Sequence, residues 1–146
     1  MKYKSLDDNG TFAIIFDDGD AVMPLLQKFA DERKLKASRF SAIGAFSQAE
    51  LGFFDFSIKD YKKIPVDEQV EVLSFLGDIA QLDGEPKIHA HAVLGKADGT
   101  AIGGHFLDGT AHPTLEIILE EAPGHLQRKI DEATGLPLIN IEQQRE

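Results

Sequence analysis

The amino-acid sequence predicts a single α+β domain over residues 1–146, with a largely antiparallel sheet of about seven strands, one main helix and short accessory helices. Three observations carry this prediction. A chain of 146 residues has the length of one domain with its own hydrophobic core. Short aromatic and β-branched runs alternate with turn residues along most of the sequence. A segment at about 20–35 has apolar residues at helical spacing.

The first strand and the main helix are predicted near the N-terminus. The run FAIIF at 12–16 is typical of a strand. Asp20 is the expected N-cap of the helix at about 20–35, and Pro24 lies in its first turn, where a missing N–H costs little. The apolar residues that define its buried face are Val22, Leu25, Leu26, Phe29 and Ala30.

The rest of the chain predicts strands joined by short connections. In chain order, these strands are 39–46, 49–57, 69–80, 87–95, 100–107 and 113–121. The first two are expected to meet near Ser47-Gln48, and the polar segment 59–67 is an edge strand or a loop. The apolar alternation of 69–80 slips near Val72-Leu73, which is typical of a β-bulge. The sequence LDGEP at 82–86 predicts a turn. The tail at 123–142 predicts a short helix or turn followed by an extended end.

Composition limits the chemistry and the partners. The chain has no cysteine, so a transition metal would have to be held by histidine, carboxylate or water. The formal net charge of −10 disfavours phosphate backbones and anionic membranes. No apolar run approaches the roughly 18–20 residues that cross a bilayer. The N-terminus lacks the apolar core of a secretory signal, so the expected location is cytoplasmic.

Three of the five histidines lie in the stretch KIHAHAVLGKADGTAIGGH, residues 87–105. Because side chains alternate along a strand, His89 and His91 share one face, about 7 Å apart. The opposite face is apolar and consists of Ile88, Ala90, Ala92 and Leu94.

The loop after Lys96 decides whether His105 joins this pair. A three-residue loop, Ala97-Asp98-Gly99, is favoured, because Gly99 can adopt the left-handed conformation that commonly ends such loops. Counting back from this loop places His91 directly opposite His105. A two-residue turn would shift the register by one and point His105 into the apolar face.

Three neutral imidazoles converging on one point suit Zn²⁺, and nickel, copper or iron are alternatives. Three protein ligands leave one coordination position open, so any catalysis would be metal-assisted hydrolysis or hydration. No catalytic residue is identified. His112 and His125 are expected to be exposed, although His112 is an alternative fourth ligand. Asp108 is expected in a turn, and Glu116 is expected to face solvent.

The motif GGHFLDGTAHPTLEIILEE, preceded by LSFLGDIAQLDGEPKIHAHAVLGKADGTAIGG, resembles the plant-and-prokaryote-conserved domain, known as PPC or PCC. The segments SAIGAFSQAELGFFDF and TGLPL extend the resemblance over nearly the whole chain. The combination of HAH, ADG and GGH resembles the stand-alone prokaryotic branch. The resemblance implies a homotrimer and a metal site, usually for zinc, whose ligands are His89, His91 and His105.

We therefore expect a trimeric metal-binding PPC protein whose open coordination position takes water or a small anionic ligand. The alternatives are a DNA-binding module, as the family is often labelled, and a structural assembly domain. The net charge and the lack of an AT-hook of the RGRP kind disfavour DNA binding.

Overall fold

The structure is a computed structural model that describes residues 1–141. These residues form β1 (Lys2–Ser5), β2 (Thr11–Phe16), α1 (Val22–Arg33), β3 (Ala37–Asp55), β4 (Asp60–Val66), β5 (Val70–Leu82), β6 (Glu85–Gly95), β7 (Ala101–Glu121), β8 (Gln127–Ile130) and β9 (Pro137–Asn140). The prediction of one main helix against a sheet was right, but the described part of the chain has nine strands and is mostly β. Residues 142–146, including the last residue of the predicted tail, lie outside the described residues.

Two predicted breaks between strands are absent from residues 1–141, because two long strands bend without turning. β3 continues through Ser47-Gln48, and β7 continues through His112. Their mutual pairing shifts register between Gly44 and Phe46, between Phe46 and Gln48, and between Glu50 and Leu51. Such irregularities let a strand change direction while it stays paired. The bulge predicted near Val72-Leu73 is confirmed, since β5 shifts against β6 between Val72 and Ser74.

The two ends of the chain add strands that the sequence analysis missed. β1 pairs with β2, and β8 pairs with β9 in a hairpin where a short helix was one of the expectations. The intervening segment is a turn because the carboxylate of Asp131 accepts hydrogen bonds from the backbone N–H and hydroxyl of Thr134. The 59–67 segment contains β4, which pairs with β3.

Four antiparallel strands close into a ring that positions the histidines. β3 pairs with both β5 and β7, β5 pairs with β6, and β6 pairs with the first part of β7. β2 continues the sheet beyond the second part of β7. Within residues 1–141 the strands are antiparallel, apart from a single parallel contact between β5 and β8. The ring therefore brings β6, which carries His89 and His91, beside β7, which carries His105.

Helix α1 covers the inner side of the sheet with the predicted face. Val22, Leu26, Phe29 and Ala30 are buried, whereas Leu25 is only partly buried. The N-cap is Ala21, so the expectation for Asp20 was wrong; Asp20 forms an ion pair with the amino group of Met1. A distant carboxylate caps the helix instead.

That capping carboxylate is Asp108 on β7, whose Oδ1 accepts a hydrogen bond of 3.1 Å from the backbone N–H of Met23. A negative charge near a helix N-terminus is favourable. This contact ties the helix to the strand that carries His105.

Among residues 1–141, no helix is long and apolar enough to span a bilayer.

Candidate metal centre

The hairpin between β6 and β7 has the three-residue loop that the sequence predicts. The backbone N–H of Lys96 donates to the carbonyl of Thr100 at 2.8 Å, and that of Gly99 donates to the carbonyl of Lys96 at 2.9 Å. Gly99 has φ +82°, in the left-handed region. The resulting register places His91 directly opposite His105. The predicted phase of this hairpin is confirmed.

The three histidines meet on the outer side of the sheet. Each of His89, His91 and His105 offers one ring nitrogen, and these three atoms lie within 4.8 Å of one another. The Nε2 atoms of His89 and His91 are 3.2 Å apart. The predicted apolar residues opposite, Ile88, Ala90, Ala92 and Leu94, are all buried. The group could hold a metal ion.

The environment of the cluster favours neutral imidazoles. Burial, together with the nearby His89, His91 and Lys87, lowers the pKa of His105 to about 4. Burial also lowers the pKa of His89, with a further contribution from the charge of Arg128. A neutral imidazole keeps the lone pair that a metal ligand needs. The pKa shifts therefore keep these two side chains competent as ligands at neutral pH.

One atom of the cluster has the property expected of a metal ligand. The Nδ1 of His105 is buried and has no hydrogen-bond partner within residues 1–141. Buried polar atoms normally have a partner in protein, ordered water or an ion. The donor set of three imidazoles and the unpartnered nitrogen both fit a borderline-soft divalent metal such as Zn²⁺.

Tyr61 of β4 packs against the cluster and was missed by the sequence analysis. Its ring stacks on that of His105, with centroids 4.3 Å apart and planes inclined by 20°. Partial burial raises the pKa of the Tyr61 hydroxyl. The backbone of Gly52 lies directly opposite His105 in the sheet. An added Cβ at Gly52 would lie 2.9 Å from Cδ1 of Tyr61, so the glycine makes room for the stacked ring.

A carboxylate and a guanidinium lie behind His89. Asp78 of β5 is directly opposite His89, and its Oδ2 is 3.9 Å from the Nδ1 of that histidine. Arg128 of β8 is buried and forms an ion pair with Asp78. At 3.9 Å this contact is longer than a hydrogen bond, so Asp78 acts on His89 through its charge. The turn at Asp83-Gly84 pairs Leu82 with Glu85. Counting back from that pair places Asp78 opposite His89, so Asp78 could have been found from the sequence.

The other candidates of the sequence analysis lie outside the cluster. His112 is exposed, and its Nδ1 is 2.7 Å from the Oδ1 of Asp18. His125 and Glu116 are exposed, as expected. Asp108 lies within β7 rather than in a turn and caps α1.

The chain is thus a small, mostly β domain with three histidines grouped on its sheet, and these histidines could hold a metal ion. The chain belongs to the Plants and Prokaryotes Conserved (PCC) domain family, whose family model matches residues 3–123. This confirms the resemblance seen in the sequence. None of the curated proteins is significantly similar to it.

Three solved structures are similar to this chain over nearly its whole length. A PPC protein from Pyrococcus horikoshii is 28% identical, with a TM-score of 0.83, over 92% of this chain and 93% of that one. A metal-containing protein from Archaeoglobus fulgidus is 31% identical, with a TM-score of 0.81, over 97% of this chain and 100% of that one. A candidate DNA-binding protein from Ralstonia eutropha is 28% identical, with a TM-score of 0.87, over 97% of this chain and 96% of that one.

Proposed function

We propose that this chain is a metal-binding protein in which His89, His91 and His105 hold one divalent transition metal, with Zn²⁺ as the first choice. The observation that carries the proposal is the approach of three ring nitrogens to within 4.8 Å of one another. The metal-containing relative from A. fulgidus supports it. Zn²⁺ held by three imidazoles supplies a Lewis acid with one position left for water or a small anionic ligand.

Metal analysis of protein purified without a histidine tag tests this proposal. We expect about one metal ion per chain in the wild type, because three converging imidazoles form a binding site. His91→Ala removes one ligand and is expected to lose most of the metal. His125→Ala is the matched control, since His125 is exposed and outside the cluster. Equal, substoichiometric metal in all three proteins would contradict the proposal.

The tyrosine stacked on His105 provides a second test of the site. Gly52→Ala places a methyl group against the ring of Tyr61 and displaces it from His105. We expect zinc affinity to fall about tenfold, the usual lower effect of disturbing the residues that orient a metal ligand. A zinc titration against a competing chelator measures this. Gly124→Ala is the control, because no described residue lies within 4 Å of the added Cβ. An unchanged affinity in Gly52→Ala would show that Tyr61 does not orient His105.

The outer sheet face supports self-association into the homotrimer that the family resemblance implies. We define this face by five apolar side chains that are each 42–64% exposed: Ile43, Leu73, Leu76, Val93 and Ile118. Ile118, Leu76 and His91 belong to one cross-strand row that also contains His105. Contiguous exposed apolar residues commonly mark interaction surfaces. A second copy of the chain on this face would therefore lie next to the metal site.

DNA binding is the alternative suggested by the name of the R. eutropha relative. A net charge of −10 opposes approach to a phosphate backbone. We expect no mobility shift of duplex DNA, even at low salt, where electrostatic binding is strongest. A shift that disappears steeply with added salt would favour the alternative. His125→Ala and the wild type should behave alike in this assay.

A further inference from the structure

A pocket of about 340 Å³ lies beside the histidine cluster, between β6, β7 and the hairpin of β8 and β9. His89 and His105 form part of its wall, and Arg128 and residues 136–138 of the hairpin form another part. A volume of this size is at the lower end of the roughly 300–1,000 Å³ range of small-molecule sites. The family model ends at residue 123, so the hairpin wall lies outside the matched segment.

The wall of the pocket combines apolar side chains with positive charge. Its apolar part includes Met23, Phe106, Leu136 and Leu138. Its charged residues are Lys87 and Arg128, and among residues 1–141 none that line it is acidic. This is the reverse of the whole chain, in which Asp and Glu number 25 and Lys and Arg number 15. The pocket therefore offers an apolar surface with a local preference for an anion.

The two cations have different environments. Asp78 balances the charge of Arg128, while Lys87 is exposed and makes no ion pair within residues 1–141. Arg128 is 6% exposed and donates from Nη1 to the carbonyl of Pro137 at 2.8 Å. Its Nε is buried and has no acceptor among the described residues. Buried N–H groups are nearly always paired, so the unpaired Nε leaves Arg128 with unmet hydrogen-bonding capacity beside the pocket.

We infer that the pocket binds a small organic carboxylate with an apolar body. The body lies against Phe106, Leu136 and Leu138, and the carboxylate lies toward Lys87 and the histidine cluster. This inference rests on the proposed metal site for the orientation of the carboxylate, because a bound cation would attract that end. The apolar wall and the charge of Lys87 belong to the protein itself, so the pocket retains part of its affinity without metal.

Titration calorimetry with hexanoate and its neutral analogue hexanamide tests the inference. The intact chain is used in two forms, chelator-treated and zinc-loaded. We expect saturable binding of hexanoate to both forms, tighter in the loaded form, and weaker binding of hexanamide. Lys87→Gln is expected to weaken hexanoate binding about threefold, as befits an exposed charge, and to leave hexanamide unchanged.

Two tryptophan variants separate pocket binding from adsorption elsewhere. Leu138→Trp fills the pocket and should abolish hexanoate binding, while metal content and melting temperature show that the protein remains folded. Ile130→Trp is the matched control, because Ile130 is exposed on the same hairpin and does not line the pocket. Loss of hexanoate binding only in Leu138→Trp would support the inference. No saturable binding to either form, or equal binding by both tryptophan variants, would overturn it. Metal content is measured separately, so failure of the metal proposal is distinguishable from failure of the pocket.

Discussion

Replacing Ile43 and Ile118 together by lysine is expected to convert the proposed homotrimer into monomers. Both side chains are well exposed on the outer sheet face, at 64% and 46%. Removing two ammonium groups from water at an apolar interface costs several kcal/mol per ion. In the isolated chain the new lysines remain in solvent, because both positions are exposed there. The folded monomer should therefore tolerate the change that the assembly does not.

Size-exclusion chromatography with light scattering measures this effect. We expect the wild type to elute at three times the chain mass of 16.0 kDa and the double variant at that mass. Leu6→Lys is the control, because Leu6 is an exposed apolar residue outside the outer sheet face. A double variant that keeps the wild-type mass would place the interface elsewhere. A monomeric wild type would remove the trimer proposal itself.

The histidine hairpin could be predicted because its determinants are local. The period-2 alternation of β6 separates His89 and His91 from the buried Ile88 and Ala90. A single glycine at the end of a short loop then fixes the register of the next strand. Each step needs only neighbouring residues, and the position of His105 follows from counting.

The surroundings of the cluster could not be predicted in the same way. Tyr61 reaches His105 because β3 pairs with both β4 and β7, so the contact depends on two long-range pairings. Arg128 reaches Asp78 through a C-terminal hairpin that returns beside β5. The polar sequence of β4 and the short β8 give weak strand signals. Their partners are set by the closure of the sheet.

The sequence prediction gave too few strands and divided β3 and β7 into two strands each. The physical reason is related. Irregularities in the sequence pattern of β3 and β7 resemble turns, since both turns and bulges interrupt alternation. In the folded chain these irregularities match register shifts, so β3 and β7 remain paired across them. An added Cβ at Gly44 would lie 2.3 Å from the carbonyl oxygen of Thr114, so β3 and β7 approach closely here without a turn. Only the partner strand distinguishes the two outcomes.

Acidification is expected to destabilise the metal-free protein through His105. Its pKa is about 4 in the folded state, below the ordinary histidine value of 6.5. Between these values the unfolded chain binds a proton that the folded chain excludes, so the free energy of unfolding falls as pH falls through this window. Below about pH 4 both states are protonated and this contribution stops changing. Allowing for solvent screening of a partly buried side chain, we expect a loss of about 2 kcal/mol.

Urea unfolding of the chelator-treated protein at about pH 7.5, 5.5 and 4 measures this loss. Carboxylates also begin to titrate at the acid end, so the decisive quantity is the difference between the wild type and His105→Gln. The glutamine stays neutral throughout and should remove about 2 kcal/mol of the pH dependence. His125→Gln changes an exposed histidine outside the cluster and should keep the wild-type slope. Zinc binding should weaken over the same window, because protons compete for the imidazole nitrogens. Equal pH dependence in the wild type and His105→Gln would mean that His105 is not held neutral by burial and by its neighbouring histidines.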